Sequence, residues 1–85
     1  MSTNPTMRAK FQVVGIEPMG TTHEKVTFRA VGGKFPYPED GSDEDNTYAK
    51  FSPQADCSIV IANPALLGKF TLNDKFYVDF TKAEA

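Results

Sequence analysis

The sequence predicts an all-β domain, and three observations carry that expectation. Short runs alternate apolar and polar side chains with a period of two. Pro, Gly and Asn cluster between those runs as turn punctuation. Seven Phe and three Tyr, with no Trp, fall mostly on the apolar parity of the runs, where aromatics supply core volume. The chain has 85 residues, a size at which folding buries only about 60 to 65% of the unfolded surface. One modest core is available, so docking on a partner or self-association is expected to add stability.

Residues 1–6 (MSTNPT) are polar and aperiodic and read as a flexible N-terminal tail. Residues 7–16 place Met7, Ala9, Phe11 and Val13 on one face and Arg8, Lys10 and Gln12 on the other, with Gly15 as the site of a bulge or bend. Residues 17–23 form a hairpin loop, and residues 24–31 return as a strand with Val26, Phe28 and Ala30 inward. Residues 32–46 are a long acidic loop without helical or strand period. Residues 47–52 (TYAKFS) read as a short third strand, with Thr47, Ala49 and Phe51 on one face. After the Ser52-Pro53-Gln54 turn, residues 55–62 form a fourth strand in which Cys57, Ile59 and Ile61 share a face.

Residues 63–68 carry helix grammar: Asn63 as N-cap, Pro64 at the first position, and Gly68 past the end. One helical turn is predicted there, its Leu66 and Leu67 covering the open end of the sheet. Asn73 and Asp74 make a turn before a fifth strand, whose Phe76, Val78 and Phe80 point to one side. Residues 7–81 are thus a single β domain, and 82–85 a polar tail. Five antiparallel strands in this order fit a small barrel or sandwich, SH3-like in preference to OB-like, because closure removes exposed edges with the fewest residues.

A net charge of -2 gives no overall footprint for nucleic acid or an anionic membrane. A lone cysteine excludes an internal disulfide, and Cys57 on the buried parity is a small core residue. His23 lies at a loop end without a second histidine, a poor start for a metal or acid/base site. No phosphate loop, nucleophile elbow or His/Cys cluster is present in the sequence, so neither an enzyme nor a cofactor is expected. No signal peptide or apolar span is visible, which predicts a product that is neither secreted nor membrane-bound.

Two surfaces remain as candidates. In the acidic loop, Phe35, Tyr37, Glu39, Asp40, Asp43 and Asp45 combine aromatic anchors with carboxylates and suit a protein contact. The same acids read also as a solvated, self-repelling loop, and their spacing lacks the glycine and final glutamate of a calcium loop. On the first hairpin, Arg8, Lys10, Lys25 and Arg29 share outward parity, a basic face suited to nucleic acid or to mixed-charge solvation.

The phrases MRAKFQV, YAKFSP, NPALLGKF and NDKFYVDFTKAE together resemble a group of small proteins of tailed bacteriophages and prophages. The similarity spans most of the chain outside residues 32–46 and departs at Lys82, where that group has Pro, and at Asn73, where Gly is common. The resemblance brings no activity with it. It implies a phage product in the virion or the host cytoplasm, and together with a small, acidic, aromatic-rich β domain that gains stability by docking it leads to the expectation of a non-enzymatic, virion-associated domain of the head-decoration or head-tail accessory kind, acting through protein contacts. The alternative is a small regulatory or counter-defence protein that binds nucleic acid or a host protein.

Overall fold

A computed structural model describes residues 5–33 and 36–84. Four strands, β1 (Met7–Met19), β2 (His23–Ala30), β3 (Asp56–Ile61) and β4 (Lys75–Phe80), form one antiparallel sheet in the order β3-β2-β1-β4. The sheet is open. Neither the expected fifth strand nor a barrel, SH3-like or OB-like, is formed, and no helix occurs among the described residues.

The reason lies in residues 47–52, which alternate like a strand but never enter the ladder. Asn46 and Ala49 close a turn, with Ala49 N–H donating to Asn46 O at 3.0 Å, and Phe51 adopts a left-handed backbone with φ 63°. A strand cannot pass through either conformation. Without that fifth strand, β3 and β4 remain free edges.

The long β1 is the sheet's spine, paired with β2 along one side and β4 along the other. Between Val13 and Gly15 the register with β2 slips, so Val14 is the extra residue of a bulge. The hairpin turn is tighter than expected, three residues between Met19 and His23, with Gly20 at φ 68° as such a turn requires.

Cross-strand register gathers the alternating apolar residues on one side. Phe11 lies opposite Phe76 and Ala30, Val13 opposite Phe28, Val26 opposite Ile59, and Phe28 opposite Cys57. Ala9, Phe11, Val13, Val26, Phe28 and Ile61 are buried, each large side chain contributing about 1.5 to 3 kcal/mol on leaving water. Phe28 is the hub: the rings of Phe11, Phe70 and Phe76 lie 6.3, 5.7 and 6.2 Å from it, the last two edge-on.

Residues 63–68 make turns instead of the predicted helical turn. The cap survives in miniature, since Ala65 N–H donates to Asn63 Oδ1 at 3.0 Å and Leu66 N–H to Asn63 O at 2.9 Å. What holds this segment down is Glu24, buried on the inner face, whose Oε1 accepts the Gly68 N–H at 2.8 Å. Leu67 and Phe70 cover that end of the core, while Leu66, expected to share the task, is exposed.

Candidate functional site

The acidic loop is tied to the sheet through Asp43 and Asn46, while Pro36, Pro38, Glu39, Asp40, Ser42 and Glu44 stay exposed. At its centre Asn46 is completely buried and bonded on every side: its Oδ1 accepts Lys10 N–H at 2.8 Å, and its Nδ2 donates to Val31 O at 2.7 Å and to Asp43 Oδ2 at 3.0 Å. Next to it, Arg8 N–H donates to Thr47 Oγ1 at 2.9 Å and Thr47 N–H to Arg8 O at 3.0 Å. β2 ends at Ala30, with Val31 N–H still donating to Lys10 O at 3.0 Å, and beyond that bond Asn46 and Thr47 take over Lys10 N–H and the main-chain groups of Arg8. The loop is therefore a clasp sewn to the sheet edge by Asx and Thr chemistry.

Asp43 organises the clasp from within. It is buried, and its carboxylate accepts Gly33 N–H at 3.0 Å and Asp45 N–H at 2.9 Å besides the Asn46 amide. Burial alone would push its pKa up, but these hydrogen bonds outweigh that and hold it below the usual carboxylate value. The neighbouring Tyr48 hydroxyl is raised by its own burial and by the Asp43 charge. The glycine pair makes room for this arrangement: a Cβ on Gly33 would lie 2.5 Å from both Asp43 Oδ1 and Asp45 Oδ2. Farther out, the Phe51 ring lies over Gly41, edge-on to Tyr37 at 6.2 Å.

The residues expected to form one contact surface are thus divided. Glu39 and Asp40 are exposed and line a shallow depression with Pro38 and Ser42. Ser42 N–H donates to Asp40 Oδ1 at 3.0 Å, and this bond lowers the Asp40 pKa. Asp43 faces inward, Asp45 is half-buried against Lys10 Nζ at 3.5 Å, and Tyr37 is half-buried. Phe35 lies outside the described residues. Among the described residues no three His, Cys, Asp or Glu converge as a metal site would require.

Arg8, Lys10, Lys25 and Arg29 do share the outer face, but β4 and the clasp bring acids and an aromatic ring onto it. Arg8 forms a two-pronged ion pair with Asp79, Nε to Oδ1 at 2.7 Å and a terminal nitrogen to Oδ2 at 3.0 Å. That pair raises Arg8 and lowers Asp79 from their ordinary pKa values. The Arg8 guanidinium also sits over the Tyr77 ring, 4.7 Å from its centroid, with Lys10 Nζ at 5.9 Å. Lys25 lies opposite Glu17, and Arg29 opposite Asp56. The result is a mixed-charge face.

The inner face has a different character. The clasp's Tyr48 stands over one end and Leu67 with Phe70 over the other. A groove of about 470 Å³ opens at the clasp end, walled by Met7, Ala9 and Phe11 of β1, Val78 and Phe80 of β4, Tyr48 of the clasp, and residues 54–57 at the start of β3. Phe80 and Ile59, on the apolar side of the sheet, are 46% and 49% exposed, so the face is incompletely covered. No helix among the described residues is long and apolar enough to cross a membrane.

Tyr77 joins the hairpin's basic face only because β4 lies beside β1, which nothing local to the hairpin shows. Asn46 was hidden for a related reason: a single Asn in an acidic run signals a turn, while its long-range partners depend on topology. Compared with known protein families, curated proteins and solved structures, the chain matches none.

Proposed function

We propose that the chain is a non-enzymatic bacteriophage protein, a small virion-associated domain of the head-decoration or head-tail accessory kind that acts through protein contacts. The observation that supports this reading best is the apolar inner face, whose groove and half-exposed Phe80 and Ile59 leave apolar side chains for a partner to cover. A clasp fastened by Asn46 and Asp43 gives the groove one firm wall, which suits a preformed docking surface.

The motif resemblance supplies the phage setting. Mass spectrometry of purified virions tests the assignment: the protein is expected in stoichiometric amounts, and its absence from particles would end the structural reading. Phe80→Glu, which changes only a half-exposed side chain, is expected to reduce incorporation while the purified variant stays folded.

A further inference from the structure

The two free edges of the sheet differ. β4 carries Lys75 and Asp79, and its exposed Tyr77 has the Arg8 guanidinium over one ring face, so charge and bulk line that edge. β3 carries no charge and no proline from Cys57 to Ile61, and its Ile59 and Val60 are 49% and 50% exposed on opposite faces. Monomeric proteins blunt an edge with lysine, proline or a bulge, and β3 has none of these between its ends.

The ladder fixes which main-chain groups of β3 are open. Ala30 N–H donates to Ala55 O at 2.9 Å, and Phe28 lies opposite Cys57 and Val26 opposite Ile59 in the same register. The main chain of Cys57, Ile59 and Ile61 therefore turns toward β2, and that of Asp56, Ser58 and Val60 turns outward without a strand partner.

We propose that β3 pairs antiparallel with β3 of a second copy across a two-fold axis, joining two 4-stranded sheets into one continuous sheet. The outward groups fit themselves: Ser58 of one copy exchanges hydrogen bonds with Val60 of the other, on both sides of the axis. This register sets Ile59 against Ile59 on the apolar side and Cys57 against Ile61, while Asp56 falls opposite Ala62, so no like charges meet. A slip of one residue would aim outward groups at inward ones and turn every side chain over, so it is excluded. The apolar faces of the two copies become continuous around the Ile59 pair. The pairing deepens the reading of the chain as a contact domain by naming a second copy as one partner.

Size-exclusion chromatography with light scattering, from micromolar to millimolar protein, is expected to give twice the mass of the chain. Val60→Lys, at a half-exposed position, is expected to fold normally and to run as a monomer at all of those concentrations. Because a pair of this kind brings Cα atoms to about 4.5 Å, within disulfide reach, Ile59→Cys in a Cys57→Ser background is expected to link two copies under mild oxidation. Tyr77→Cys in the same background, on β4, is expected not to. A chain that stays monomeric, a dimer that Val60→Lys leaves intact, or cysteines at 59 that fail to link would each overturn the pairing. These readouts come from solution and the virion assignment is read from particles, so failure of one is distinguishable from failure of the other.

Discussion

Asn46 stands in for a strand: its side-chain amide accepts from Lys10 N–H at 2.8 Å and donates to Val31 O at 2.7 Å, occupying the position that a main-chain peptide would fill beside β1. One side chain thereby ties the end of β2, the edge of β1 and the acidic loop together.

Asn46→Ala should therefore be among the most damaging substitutions outside the core. It takes the partner from the half-buried Lys10 N–H and Val31 O and from the buried Asp43 carboxylate, at about 1 to 3 kcal/mol for each group left unsatisfied. A domain of this size loses about 4 to 8 °C of Tm per kcal/mol. Thermal unfolding should show a fall well beyond 4 °C, whereas Glu39→Ala, at an exposed neighbour in the same loop, should leave Tm nearly unchanged.

The clasp should also make the fold acid-sensitive. Asp43 has its pKa depressed in the folded state, as do Asp40 and Asp79. A carboxyl of this kind adds stability that is fully present above its unfolded value, about 3.9, and is lost as pH falls through the lower folded value. Denaturant midpoints should hold steady near neutrality and drop below about pH 4. Asp43→Asn should be less stable at pH 7 and show a shallower acid decline, because one of the titrating groups is gone. An unchanged acid profile would remove Asp43 from this role.

Gly33 is required for space. Any Cβ there meets Asp43 and Asp45 at 2.5 Å, and the carboxylates can retreat only by giving up the bonds to Gly33 N–H and Lys10. Gly33→Ala should lower Tm and raise amide exchange at residues 43–46, while Gly20→Ala, with nothing near its Cβ, should show only the local cost of its φ of 68°.

The faces of the four strands were legible because burial on one side imposes a period of two whatever the topology: Phe11, Val13, Val26, Phe28 and Phe76 all point where alternation puts them. The same rule misled at residues 47–52. Alternation states which side a residue would face if the run were extended, but not whether a neighbouring strand exists to extend it. Asn46 and Asp43 decide that point through bonds to Lys10, Val31 and Gly33, at sequence separations of 36, 15 and 10 residues, which no local pattern encodes. The candidate surface was legible only in composition: the acids were visible, but not that Asp43 turns inward while Glu39 and Asp40 stay out.

Phe28 and Phe80 should separate folding from docking. Phe28 is buried at the centre of the aromatic cluster, so Phe28→Ala should cost about 3 to 5 kcal/mol. The stability of an 85-residue domain is about 4 to 13 kcal/mol, so that loss removes a large share of it and should lower Tm steeply. Phe80 lies on the same side of the sheet but is 46% exposed beside the groove, and its removal forfeits only part of a buried ring. Circular dichroism of Phe80→Ala should show a folded protein with a Tm lowered far less than in Phe28→Ala. If the inner face is where partners dock, Phe80→Ala should nonetheless weaken incorporation into particles, because the ring lost from the groove is the part left for a partner to cover. A Phe80→Ala chain incorporated at the normal level would place the contact elsewhere on the molecule.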